Sequence, residues 1–286
     1  MQKEQIMGLD YKSLANAGLE KYGFEHEDRV KYPEGETVEW YGFVRHNFEI
    51  DGCKAFIVEP PNPAPGLPWS WCLQWAESFV PRTPALKLLE RGFHHVHIDV
   101  FATRMNPQGM KIAEKFYALL QEMGFHKKGA LIGMSYGGLF SWRWAAEHPE
   151  TVGAIYADCP VCNLAFASER NESNACRESL EFFLSEGKKN IEIYGVKTHE
   201  ELQNHPLSPL NNFKPIADAK IPILVLRGGQ DQTVLPQSNI DILEEKIKSA
   251  GGDITVINRD CYGHHPHGMD DPRPLADFIL RHYPEF

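Results

Sequence analysis

The chain has 286 residues, 42% of them hydrophobic, with 29 Lys and Arg against 39 Asp and Glu. A chain of that length and balance buries roughly three quarters of its unfolded surface, which excludes disorder, collagen and coiled coil. The net charge of -10 offers no general attraction for phosphate backbones or anionic membranes, and no basic run supplies a local one. Neither nucleic acid nor a membrane is an expected partner.

The segment Met1-Gln2-Lys3-Glu4-Gln5-Ile6 lacks the apolar stretch of a secretory signal, and the chain as it stands reads as cytoplasmic. Its six cysteines, Cys53, Cys72, Cys159, Cys162, Cys176 and Cys261, are too sparse for a disulfide scaffold, so reduced thiols are expected.

In chain order, Glu39 to Val58 predicts a hairpin: Phe48 and Ile50 alternate with polar neighbours, Asp51-Gly52 supplies the turn, and Ala55 to Val58 continues as a strand. Pro60 to Pro68 reads as a loop, Trp69 to Trp75 as a strand, Ala85 to Glu90 as a helix and Phe93 to Val100 as a strand. Ile112, Phe116, Leu119, Leu120 and Met123 fall at helical spacing, with Gly124 as the stop. After them come a short apolar strand at Ala130 to Gly133, a helix at Tyr136 to Glu147, and strands at Val152 to Ala157 and Ile221 to Leu226. Ile240 to Ile247 predicts a helix, Ile254 to Ile257 a strand and Leu275 to Ile279 the last helix.

Strand and helix alternate, which predicts an α/β fold: a mostly parallel central sheet flanked by helices, with active groups gathered at the carboxyl ends of the strands. Residues 161–215 break the rhythm, being polar and too long for a simple connection. They predict a helical lid inserted into one domain spanning residues 1–286.

Gly133-Met134-Ser135-Tyr136-Gly137-Gly138 lies between an apolar strand and an apolar helix. A Gly-X-Ser-X-Gly turn there holds a hydroxyl out at the top of the sheet, because residues without side chains let helix and strand approach. Alone, the motif also fits an ordinary strand-to-helix turn, the lesser of the two readings. A serine becomes nucleophilic only when an imidazole takes its proton and a carboxylate orients that imidazole. Both follow in order: Asp231, in Gly228-Gly229-Gln230-Asp231, after one strand, and His264, in Tyr262-Gly263-His264-His265-Pro266-His267, after the last.

With these residues the chain resembles the α/β-hydrolase superfamily, from the hairpin near Glu39 to the final helix. The resemblance implies Ser135 as nucleophile, Asp231 as acid and His264 as base, with no cofactor. The Gly-His-His-Pro-His segment, Asp270-Asp271-Pro272, Pro68-Trp69-Ser70-Trp71 and Asp158-Cys159-Pro160-Val161-Cys162 look more narrowly like bacterial sugar and pectin esterases. His265 is the second choice for the base, and His267 reads as a loop-ordering residue. Asp158, just past Val152 to Ala157, is a rival acid. For the oxyanion hole the resemblance implies the N–H groups of Tyr136 and Trp75, the latter in Gln74-Trp75, where hydrolases often show His-Gly.

Trp69, Trp71 and Trp75 share one parity, and core packing is expected of the first two more than of Trp75. Cys159-Pro160-Val161-Cys162 has the spacing of a redox pair but no second pair to make a zinc site, and a lining of the pocket floor is the expected role. His94, His95 and His97 read as packing residues, and His199-Glu200-Glu201-Leu202-Gln203 lacks the final His of a zinc motif, so no metal is expected. The expected function is a serine carboxylic-ester hydrolase acting on a carbohydrate-linked acetyl or methyl ester. A small peptidase of the prolyl-oligopeptidase-like type, a non-catalytic hydrolase-fold binding protein and a redox protein using Cys159 and Cys162 are the alternatives.

Overall fold

A computed structural model describes residues 30–169 and 180–283. Cys176, the 170–179 part of the expected insertion and the segment Met1 to Ile6 lie outside the described residues. The strands are β1 (Glu36–Trp40), β2 (Phe43–Ile50), β3 (Cys53–Glu59), β4 (Trp69–Gln74), β5 (His94–Ile98), β6 (Gly129–Met134), β7 (Val152–Asp158), β8 (Ile223–Gly228) and β9 (Ile254–Arg259). The helices are α1 (Ala85–Leu89), α2 (Pro107–Glu122), α3 (Tyr136–Glu147), α4 (Leu180–Tyr194), α5 (His199–Gln203), α6 (Lys214–Asp218), α7 (Ile240–Ser249) and α8 (Arg273–Leu280).

The strands form one sheet in the order β1-β2-β3-β5-β4-β6-β7-β8-β9. β1, β2 and β3 pair antiparallel, β3 meets β5 antiparallel, and every pair from β5 to β9 is parallel. The antiparallel edge follows from its turns. Asp51 (φ 50°) and Gly52 (φ 75°) both take the left-handed backbone that lets two residues reverse a twisted pair. Tyr41 (φ 52°) and Gly42 (φ 86°) do the same between β1 and β2, a second hairpin that the sequence pattern near Glu39 does not separate from the first.

Alternation along the parallel strands divides the core into two layers. On one face Cys72, Ile132, Met134, Tyr156 and Leu226 pack with Leu88 of α1 and Leu275 and Ile279 of α8. On the other, Trp71 lies edge-on to Phe116 of α2 and Trp144 of α3, with ring centroids 5.4 and 5.0 Å away. Trp69 and Trp71 are both fully buried, as their parity predicts, whereas Trp75 lies beyond the end of β4 and is 37% exposed. Removing a buried ring of this kind costs about 3–5 kcal/mol.

The segment between β7 and β8 is helical where it is described: a short 3-10 turn at Phe166–Glu169, then α4, α5 and α6. α6 packs against α3 and α7, so it belongs to the helical cover of the sheet, and the insertion ends before it. Among the described residues no helix is long and apolar enough to cross a membrane.

β5 carries two fully buried histidines. His95 lies 2.9 Å from Ser70 Oγ and stacks on Trp40, and burial lowers the pKa of His94 to about 4 and of His95 to about 3. Unfolded, both bind a proton below about 6.5; folded, they stay neutral well below that. Their contribution to stability is therefore complete above pH 6.5 and is lost as pH falls toward 4, each at up to about 1.4 kcal/mol per pH unit. Denaturant unfolding between pH 6.5 and 4.5 should show that slope, and His95→Phe should make it shallower by about one histidine's share. An unchanged slope in the variant would mean that His95 is not held neutral by the fold.

Candidate active site

Ser135 joins β6 to α3 at the carboxyl end of the sheet, with φ 52° and ψ -118°. A non-glycine residue in that region costs about 1–3 kcal/mol, and it persists only when its surroundings fix it. Here the Ser135 N–H donates to the carbonyl of Asp158 (3.0 Å), and its own carbonyl accepts from Gly138 (2.9 Å) and Val161 (2.9 Å). Close packing explains the glycines. A Cβ on Gly133 would lie 2.6 Å from Ser141 Oγ, and one on Gly138 would lie 2.3 Å from Pro160 Cβ.

β8 delivers Asp231, which does two jobs. Its Oδ1 accepts the N–H groups of Thr233 and Val234, both at 2.9 Å, which is the turn-capping role. Its Oδ2 lies 2.7 Å from His264 Nδ1, and His264 Nε2 lies 3.0 Å from Ser135 Oγ. Only a carboxylate faces Nδ1, so Nδ1 carries the hydrogen and Nε2 presents its lone pair to the serine hydroxyl. Asp231 and His264 are buried.

The three histidines of the loop separate cleanly. His264 reaches the serine; His265 is exposed, its ring stacked on Phe79 at 5.6 Å; His267 is buried, 3.2 Å from Asp158. Asp158, the rival acid, therefore serves a different histidine. It is fully buried and accepts from Arg259 Nη2 (2.8 Å), Gly268 N (2.6 Å) and Tyr156 OH (3.1 Å). Burial pushes its pKa up, but the bonds from His267, Arg259 and Gly268 outweigh it and hold the carboxyl below its ordinary range. Burial lowers the pKa of His267, so its ring is neutral beside His264, 4.9 Å away between centroids.

Tyr136 opens α3, where a backbone N–H has no carbonyl one turn earlier to bond. Trp75 follows β4, whose last residue Gln74 is paired in register with Gly133. Its backbone is left-handed (φ 64°), the conformation for which glycine is the usual choice, and its carbonyl accepts from Ser78 N (2.8 Å). One N–H group thus belongs to the first residue of α3 and the other to the residue after β4, the strand beside β6.

A network absent from the sequence reading backs this turn. The Tyr136 hydroxyl donates to Glu186 Oε2 (3.2 Å), which also accepts from Arg104 Nη2 (2.9 Å). The Arg104 guanidinium lies over the Phe101 ring at 3.7 Å, and Asn190 Nδ2 donates to the Tyr136 oxygen (3.3 Å). The signal was present: Phe183, Glu186, Gly187, Asn190 and Tyr194 make the buried stripe of α4, and two polar residues on such a stripe demand partners.

Among the described residues, three groups bring ligand atoms within 4.8 Å of one another: His264, His265 and His267; Asp158, Cys159 and His267; and Cys159, Asp231 and His264. In the last, Asp231 and His264 are already bonded to each other and His264 to Ser135, and a metal would have to replace those bonds. Cys159 and Cys162 are buried free thiols. Burial, reinforced at Cys159 by the carboxylates of Asp158 and Asp231, pushes both thiols far up, away from the thiolate that metal binding or disulfide exchange needs.

The Asp231–His264 bond should give one low-field imidazole N–H proton resonance, removed in Asp231→Asn and kept in Asp158→Asn. Its loss in Asp158→Asn would mean that the bond depends on Asp158.

Residues 35–184, about half of the chain, match the alpha/beta hydrolase fold family. The chain is 29% identical over 153 residues to acylamino-acid-releasing enzyme 1 of Oryza sativa subsp. japonica, a stretch that is 53% of this chain and 18% of that enzyme. It thus spans under a fifth of that relative. An esterase/lipase from an uncultured bacterium superposes with a TM-score of 0.59 at 14% identity, covering 97% of this chain and 93% of the other. The acylaminoacyl peptidase of Pyrococcus horikoshii gives 0.57 at 14% identity over 96% of this chain and 43% of that one. S-formylglutathione hydrolase from Agrobacterium tumefaciens gives 0.54 at 16% identity, over 87% and 96%. At these identities the structural likeness is one of fold, and together with the family match it means that the chain belongs to the alpha/beta hydrolase fold family.

Proposed function

We propose that the protein is a serine carboxylic-ester hydrolase acting on a carbohydrate-linked ester, with Ser135 as nucleophile, His264 as base and Asp231 as acid. The observation that carries this reading is the continuous chain from Asp231 Oδ2 through His264 to Ser135 Oγ, at 2.7 and 3.0 Å. In the mechanism it supports, Ser135 Oγ attacks the ester carbonyl carbon and passes its proton to His264 Nε2. Asp231 stabilises the imidazolium that forms. The oxyanion lies between the N–H groups of Tyr136 and Trp75. As the tetrahedral intermediate collapses, the C–O bond breaks and His264 returns the proton to the leaving alcohol. Water then attacks the acyl-serine, with His264 again as base, and releases the acid.

An ester is favoured over an amide because the fold matches 93% and 96% of the proteins described as an esterase/lipase and an S-formylglutathione hydrolase, whereas the peptidase is matched over 43% of its length. A sugar-bearing ester is favoured by the Gly-His-His-Pro-His segment and by the exposed indole of Trp75 beside the nucleophile's strand. The peptidase reading draws on the 29% identity to the acylamino-acid-releasing enzyme, and one experiment covers both.

Product analysis by NMR, with acetylated glycans, methyl-esterified glycans and an N-acetylated peptide, should show acetate or methanol released by the unmutated protein and not by Ser135→Ala. Release of the N-acetylated amino acid instead would establish the peptidase reading. In kinetics on the cleaved ester, Asp231→Asn should lower kcat by about 10⁴-fold, as expected where the tautomer of the base is lost. Asp158→Asn, which leaves that tautomer in place, should cost about tenfold; the reverse ranking would make Asp158 the acid.

A further inference from the structure

We propose that the cavity of about 640 Å³ beside Trp75 is the subsite for the alcohol half of the ester, and that it takes a neutral, hydroxyl-rich ring in preference to an anionic one. The proposal rests on the ester-hydrolase reading and names the substrate class of that site. The cavity lies between the end of β4, the end of β5 and the β2–β3 hairpin, lined by Gln74, Trp75, His97, Arg45, Phe56 and Glu77 among others. Gln74 and Trp75 place it one strand over from Ser135, since Gln74 is the register partner of Gly133.

Its buried polar atoms are unequally satisfied. Gln74 is 7% exposed; its Oε1 has no hydrogen-bond partner and is closed off from the cavity, so it adds no acceptor there. His97 donates its Nδ1 hydrogen to the Cys72 carbonyl (2.7 Å), and burial lowers its pKa, so Nε2 is a lone-pair acceptor at neutral pH. The His97 imidazole therefore offers the cavity an acceptor to which a ligand must supply the hydrogen. Hydroxyl groups do so without bringing charge.

Arg45 completes the set. Its Nε donates to Asn47 Oδ1 (2.7 Å), one terminal nitrogen is ion-paired with Glu77, and its guanidinium lies 4.0 Å over the Phe56 ring. Glu77 is held in turn by Trp40 Nε1 (2.9 Å). The guanidinium is thus fixed and its charge is matched locally, leaving it as a hydrogen-bond donor to ligand oxygens and not as an unpaired cation. The Trp75 indole, packed on Phe101 and 37% exposed, gives an apolar face against which a ring can lie.

Charge sets the preference. The lining carries Glu36, Glu49, Glu77 and Asp99 against Arg45 and Lys54, an excess of carboxylate that opposes a ligand bearing its own. A neutral glycosyl ring escapes that repulsion; a chain of uronate residues does not. Because the lining is partly wet, the repulsion is screened within about 10 Å at 0.1 M salt, so any uronate binding should improve as salt is added.

Binding to the full-length Ser135→Ala protein tests this, by saturation-transfer NMR and titration with xylotriose, acetylated xylotriose and a galacturonate trimer. The xylose trimers should bind at least tenfold more tightly than the galacturonate trimer at low salt, a gap of about 1.4 kcal/mol. Adding His97→Phe, checked for folding by thermal melt, should weaken xylotriose about tenfold. Equal binding in the folded variant, or a preference for the galacturonate trimer, overturns the proposal. If the unmutated protein cleaves p-nitrophenyl acetate but no trimer binds Ser135→Ala, the subsite falls and the ester reading stands. If a trimer binds but the unmutated protein cleaves no ester, the ester reading falls and takes the alcohol-half assignment with it.

Discussion

The strained turn at Ser135 is the constraint on which the rest of the site depends. A left-handed backbone at that residue aims the hydroxyl out of the sheet, and it is held by three backbone hydrogen bonds, to Asp158, Gly138 and Val161. Two of those partners, Asp158 and Val161, lie at and just beyond the end of β7. The next strand over therefore fixes the elbow from beneath. The same strand end supplies the Asp158 carboxylate, which ties down Arg259 and Gly268 and hence the loop that carries His264. Elbow and histidine loop are referenced to one point, so the 3.0 Å contact between Ser135 and His264 does not depend on a long chain of independent placements.

That arrangement puts two carboxylate–imidazole pairs side by side, and the charges show how both can persist. Asp158 is compensated by Arg259, so the pair adds no net charge beneath the site. His267 is neutral, its pKa lowered by burial, so it does not oppose a positive charge arising on His264. Asp231 remains the carboxylate bonded to His264, the position from which it can stabilise an imidazolium. A single carboxylate could not serve both histidines, because its oxygens are consumed by different backbone groups in each case: Thr233 and Val234 at Asp231, Gly268 at Asp158.

The sequence was informative where local chemistry and position agree. Gly-Met-Ser-Tyr-Gly is readable because a left-handed residue between a strand and a helix needs small neighbours, and Asp231 and His264 are readable because each follows a strand whose direction the alternation predicts. Three things were hidden. β1 merges with β2 because Tyr41-Gly42 is a weaker turn signal than Asp51-Gly52. The choice between Asp158 and Asp231 depends on which histidine each faces, a long-range fact that no spacing reveals. The left-handed backbone of Trp75 occupies a place where glycine would have announced it, and tertiary contacts override the preference.

The insertion shows the same dependence on the elbow. Its helix α4 turns Glu186 and Asn190 inward, toward the hydroxyl of Tyr136, the residue that follows Ser135. Arg104 is 5% exposed at its side chain and Glu186 7%, a depth at which removing one partner of an ion pair costs about 3–5 kcal/mol. Tyr194 adds a further tie by donating its hydroxyl to the Arg104 carbonyl (2.8 Å). A helix held at Glu186, Asn190 and Tyr194 cannot swing away from the turn without breaking buried polar bonds. Over these residues the insertion is thus a fixed wall of the site, continuous with the aromatic packing of Phe101, Tyr136 and Phe166. Trp75 packs on Phe101 of this wall, 5.1 Å between centroids, so the exposed indole beside the end of β4 is braced by the same aromatic packing that α4 supports.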